Sequence, residues 1–184
     1  MSPAATMDDT AATGALEQAA DDLFYVHGVA GVSMAQIRDR SGVSLRRMYS
    51  ICPSKSDLVS LWLRARHRVW MDGFSVAVSR NLATGSDPTD AVFDALASWM
   101  TATNFRGCGF INTHAESSEL TEQHVEIIRG HKQSLARYLS SISADGDALA
   151  ILVDGAIVQA AMFGSVEPIV HARRAARMMF EERP

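Results

Sequence analysis

The chain has 184 residues, 47% of them hydrophobic, and a formal net charge of −4. That is enough apolar content for one core or two small ones, and no uninterrupted apolar run reaches the roughly eighteen residues of a membrane span. The N-terminus has neither the basic stretch nor the apolar run of a secretory signal, and Cys52 and Cys108 lie far apart, so both read as free thiols of a reducing, cytoplasmic protein.

Residues 1–12, rich in Ala, Thr and Asp, read as a disordered lead-in. From Gly14 the spacing of Leu16, Ala19, Ala20, Leu23, Phe24 and His27 predicts a helix, which Gly28 ends. Residues 33–52 carry the densest local signals. Ser33 and Gln36 fit a capping box, and Met34 and Ile37 face one side of a short helix running to about Ser41. Gly42 allows a tight turn, and Ser44 caps a second short helix with Arg46 and Arg47 outward and Met48 and Tyr49 behind them. Two capped short helices joined by a glycine turn are the layout of a helix-turn-helix, whose second helix enters a DNA major groove.

Charge placement agrees. Residues 1–32 hold five acids and no Lys or Arg, residues 33–68 hold eight bases and two acids, and residues 69–184 hold nine bases and fourteen acids. One basic block inside an acidic chain is an electrostatic footprint for phosphate.

Further along, Pro53 breaks the chain and Ser54 with Asp57 caps a long helix over about Lys55–Leu82. Asp87 and Pro88 start a helix to about Thr103, FRGCGFIN interrupts with two glycines, and a short helix covers Ile111–Ser118. Thr121 caps a helix to about Ser141, SADGD turns, residues 147–165 form an almost apolar helix, and Pro168 starts a last one ending near Arg183. About nine helices and no strand predict an all-α chain. Residues 13–72 would form a DNA-binding head and residues 73–184 a helical body for ligand binding and dimerisation.

The stretch GVSMAQIRDRSGVSLRRMYSICPSKSDLV resembles the N-terminal signature of the tetracycline-repressor (TetR) family of transcriptional regulators, over roughly residues 14–63. FRGCGFIN also resembles a segment of one broad branch of that family. The resemblance implies a homodimer that binds a near-palindromic double-stranded DNA operator and is released by a small molecule in the C-terminal domain. It places Ser33, Tyr49 and Lys55 at phosphates, and Leu45, Arg46 and Arg47 at the exposed start of the recognition helix, beside its cap Ser44. Ile51 and Cys52 depart from the family pattern, which has an aromatic pair such as His-Phe there. One of Arg46 and Arg47 is expected to read a base and the other to grip phosphate, since adjacent residues on a helix point about 100° apart.

In the body, Trp62, Trp99, Phe110 and Met162 offer apolar wall and Asn112 and His114 polar contacts for a small-molecule effector. Leu149, Leu152, Val153, Ala156, Ile157 and Ala160 make one helix apolar on so many sides that a homodimer interface is expected there, completed by the last helix. His124 and His131 share a helix face without a further ligand to complete a metal set. Neither a metal nor a cofactor is expected. Cys108 has only Arg106 as a basic neighbour in sequence. Two other classes stay open: a DNA-binding regulator governed by a protein partner, and an all-α ligand carrier or enzyme. No nucleophile–base pair, phosphate-cradling glycine loop or spaced acid pair speaks for an enzyme.

Overall fold

The computed structural model describes residues 8–101, 105–116 and 120–181. Among them are nine helices and no strand: α1 (Asp9–His27), α2 (Met34–Ser41), α3 (Leu45–Ile51), α4 (Lys55–Ala83), α5 (Pro88–Met100), α6 (Gly109–Glu116), α7 (Glu122–Ser140), α8 (Gly146–Phe163) and α9 (Glu167–Glu181). The expected all-α class is what the chain adopts. Three of its caps are as read from the sequence. Ser33 and Gln36 close a full capping box, Ser44 accepts from the Arg47 N–H, and Asp87 accepts from the Thr89 N–H. Gly42 sits at φ 68°, the left-handed turn between α2 and α3 that a side chain resists.

Helix α1 begins five residues earlier than the apolar spacing suggested. Asp8 caps it by accepting from the Ala11 N–H at 2.7 Å, and Ala12, fully buried, extends the stripe of Leu16, Ala19, Ala20 and Phe24 by one turn. The residues after Asp8 are therefore helical, not lead-in. Helix α6 likewise starts at Gly109, so the second glycine of FRGCGFIN is helical. The expected ends of three helices, near Thr103, Ser118 and Arg183, fall outside the described residues.

The chain divides into two compact units, Met1–Arg66 with Thr113–Ile127, and His67–Asn112 with Ile128–Pro184. In the first, α1 packs on α2 and α3 over Leu16, Phe24, Ile37, Val43, Met48, Leu58 and Trp62. Trp62 meets Phe24 edge-on at 5.4 Å and donates its indole N–H to Asp21 at 2.8 Å. Arg66 bonds the same carboxylate oxygen at 2.5 Å and lies 3.6 Å over the Tyr25 ring. Burying an indole is favourable only because its polar N–H finds such a partner.

In the second unit, α8 packs on α9 and α5 through Leu149, Val153, Ala156, Ile157 and Ala160, with Ile169 and Ala176 of α9. Ion pairs tie α9 to α5: Arg173 to Asp94, and Arg177 to Asp90. Among the described residues, α8 alone is long and apolar enough to cross a membrane by length and composition. Its inner face packs within its own unit, and about a third of its residues are buried.

Candidate nucleic-acid interface

Helix α3 is held from beneath and open above. Met48 is fully buried, Ile37 and Val43 complete its floor, and Cys52 closes its end by donating its N–H to the Met48 carbonyl at 2.8 Å. Burial, with Asp57 nearby, pushes the Cys52 thiol up to about 11, so this cysteine fills space as an uncharged group. Above that floor, Leu45 and Tyr49 are 46% and 45% exposed, and Ser44 and Arg46 are exposed with them. Leu45 and Tyr49 thus stand in water beside Arg46 on the outer side of a capped helix.

The basic block is largely answered by the chain's own acids. Arg38 pairs with Asp39 at 2.5 Å, Arg40 with Asp22, Arg47 with Asp9 at 2.7 Å, and Arg66 with Asp21. Three of these acids lie on α1, which explains why an acid-rich helix precedes a base-rich segment. Burial would raise the Asp22 carboxyl, but hydrogen bonds from Arg40 and Gln18 and the Arg40 charge outweigh it and hold it below the ordinary carboxylate range. Arg46, Lys55 and Arg64 make no ion pair among the described residues.

The two α3 arginines thus differ. Arg46 is exposed, whereas Arg47 is spent on Asp9, and its Nε is buried with no partner. Ser33 is also engaged, since its hydroxyl donates to the Gln36 amide oxygen at 2.8 Å and accepts from the Gln36 N–H at 3.3 Å. Lys55, half-buried, opens α4 directly after Ser54. The Ser54 N–H donates to the Asp57 carboxylate at 3.0 Å.

Of the six expected effector contacts, Trp62 and His114 belong to the first unit and Trp99, Phe110, Asn112 and Met162 to the second. Trp62 belongs to the core of the first unit, His114 is exposed, and Met162 is 75% exposed on α8. Asn112 donates to the Arg106 carbonyl at 2.8 Å and so braces the turn before α6. Only Trp99 and Phe110 join a common feature, a cluster of rings in the second unit. There Phe110 stacks on His131 at 3.7 Å, Trp70 meets Trp99, Phe74 and His131 at 4.8–5.6 Å, and Phe105 and Tyr138 flank them.

His67 and His131 face each other Nδ1 to Nδ1 at 3.1 Å, so one ring donates and the other accepts. Burial lowers the His67 pKa, Arg68 adding to the effect and Asp72 opposing it. The sequence reading passed over His67, Trp70, Tyr138 and Phe105. The i, i+4 pair Trp70–Phe74 and the i, i+7 pair His131–Tyr138 were the available signals. Cys108 has a basic neighbour that its sequence context did not show: Lys132 lies 3.5 Å from its sulfur and pairs with Asp154 at 2.6 Å. No group of three metal-ligating side chains exists among the described residues, and His124 and His131 serve separate hydrogen-bond and ring contacts.

The expected dimer residues lie mostly on the buried side of α8. Leu149, Val153, Ala156, Ile157 and Ala160 are at most 3% exposed and Leu152 is half-buried, because they form the inner face of α8. The face left in water is Ile151, Gly155, Val158 and Met162, at i, i+4, i+7 and i+11, with Val170, Met178 and Met179 exposed on α9.

No family model matches the sequence. No curated protein matches it either. Solved structures do resemble it. A TetR-family transcriptional regulator from Streptomyces coelicolor superposes with a TM-score of 0.78 at 23% identity, over 99% of this chain and 97% of that one. One from Agrobacterium tumefaciens gives 0.75 at 19% identity over 94% and 99%, and one from Chloroflexus aurantiacus gives 0.77 at 20% over 95% and 96%. From end to end, then, this chain has the fold of TetR-family transcriptional regulators.

Proposed function

We propose that this protein is a TetR-type transcriptional regulator that acts in the cytoplasm as a homodimer, reads a double-stranded DNA operator with α3, and leaves it when a small molecule binds the second unit. The observation that carries the reading is α3 itself: Leu45, Arg46 and Tyr49 stand exposed on a capped helix whose inner side is locked by Met48. Arg46 can pair bidentately with a guanine edge, Tyr49 can pack while its hydroxyl reaches a phosphate, and Lys55 adds affinity for any sequence. Ser33 and Ser44 fix the helix starts and set the register of the motif on the backbone. Arg47, tethered to Asp9, supports α3 from α1, and the base reader is Arg46.

Dimerisation falls to the outward stripe of α8 with α9, whose apolar side chains stand exposed among the described residues. The ring cluster around Trp70, Trp99, Phe110 and His131 suits a planar or aromatic effector. The test is a gel-shift titration of full-length protein on its own upstream DNA across a salt series. Binding whose logarithm falls linearly with log salt is expected, and Lys55→Ala should weaken every sequence alike and flatten that slope by about 0.9. A protein that shifts no DNA at low salt overturns the reading. Melting-temperature shifts across a metabolite library then separate release by a small molecule from control by a protein partner.

A further inference from the structure

The segment Thr113–Ile127 belongs to the same compact unit as α1–α3, and a buried histidine and a glutamine on it bond α4. His124 is 3% exposed. Its Nδ1 stands 3.3 Å from the Thr121 N–H, which can only donate, so Nδ1 accepts. Its Nε2 stands 2.9 Å from the Ser56 carbonyl, which can only accept, so Nε2 carries the hydrogen. A single neutral tautomer satisfies both. One nitrogen therefore completes the cap of α7, where Thr121 in turn accepts from the His124 N–H, while the other grips the first turn of α4. A turn further along, Ser60, also buried, donates to the Gln123 side chain at 3.1 Å.

Lys55 lies between this grip and the Ser54–Asp57 cap, in which the Ser54 hydroxyl donates to the carboxylate at 2.6 Å and accepts from the Asp57 N–H at 3.1 Å. The start of α4 is thus fixed locally by its own cap and, across a gap of 68 residues in sequence, by His124.

We propose that His124 is a positioning residue for DNA binding, holding the first turn of α4 so that Lys55 and the neighbouring end of α3 meet the phosphate backbone already ordered. This rests on the DNA-binding reading above. His124 touches no phosphate in this account. Its loss makes binding supply the order that the imidazole supplies in the free protein, which lowers affinity without removing a charge contact.

The experiment uses full-length protein and a fluorescent duplex of its own upstream region, with wild type, His124→Ala and His124→Gln compared over a salt series well below the melting temperature. The glutamine amide presents an acceptor and a donor about as far apart as the ring nitrogens. Expected is a loss of about five- to tenfold for His124→Ala, at the low end of couplings between separate sites, with an unchanged salt slope. His124→Gln should recover most of it. A folded His124→Ala that binds as tightly as wild type overturns the proposal, and so does one whose slope flattens by a full phosphate contact.

Should the alanine variant not fold, two measurements still decide. His124→Gln must bind near the wild-type level, and the ring nitrogens of wild-type His124 must show the Nε2–H tautomer by NMR. A ring protonated at Nδ1 overturns the proposal. Wild-type protein that binds no DNA overturns both readings, whereas wild-type binding with an indifferent His124→Ala overturns this one alone.

Discussion

Adjacent residues on a helix point about 100° apart, and in α3 that angle separates a guanidinium in water from one tied to the chain's own acid. Arg46→Ala should therefore reduce discrimination between operator and unrelated DNA by about 1–3 kcal/mol, while Arg47→Ala leaves discrimination nearly intact. Asp9→Ala releases Arg47 toward the backbone and should steepen the log–log salt slope by about 0.9. Competition binding against random duplex checks all three, and equal losses for both arginines would refute the assignment. His67 allows a pH prediction. Its folded pKa lies below the ordinary histidine value, so as pH falls the unfolded chain takes up the proton first. Its contribution to stability is present above about pH 6.5 and is lost on acidification below it. Thermal melts between about pH 7 and pH 5 should fall less steeply for His67→Gln than for wild type, and parallel slopes would exclude the effect.

At the scale of elements, the helices are set by local chemistry. Asp8, Ser33, Ser44, Asp87 and Asp145 each receive the N–H that an N-cap should receive, and Gly42 and Gly164 end their helices in the left-handed conformation. Interactions within three or four residues are visible in a linear sequence, and for that reason the helix-turn-helix was legible there. A seven-residue helix, however, cannot hold itself together in water and depends on the core beneath it. Met48→Ala should cost about 2–5 kcal/mol, since it removes a fully buried side chain under α3. DNA binding should fall with it, and a urea melt read beside a binding curve would show the two losses together. Were binding to survive a large loss of stability, the Met48 floor would not be what presents α3.

For the whole molecule, packing decides which side of a helix faces where. The composition of α8 marks it as apolar nearly all round, but it cannot say which side belongs to the chain's own core. Packing against α9 and α5 took Leu149, Val153, Ala156, Ile157 and Ala160 inward and left Ile151, Gly155, Val158 and Met162 outside. In the proposed two-fold dimer that outer stripe would meet its own copy, so a charge placed on it would repel its symmetry mate. Met162→Glu should convert the dimer to monomer in sedimentation velocity without lowering the protomer's helix content, whereas Leu149→Glu should unfold the protomer. A Met162→Glu protein that stays dimeric would place the interface elsewhere.

The same limit applied to the expected effector contacts. Trp62 and Met162 were plausible by residue type, but the ring cluster formed around His131 and Trp70, whose partners come from distant helices. The helices, most of their caps and the helix-turn-helix layout were legible in the chain, because those rest on contacts between near neighbours. Tertiary structure alone decided that Arg47 is held by Asp9, that α8 turns its other side to water, and that His124 grips α4. The first and last of those join residues dozens of positions apart, and no local periodicity encodes any of the three choices.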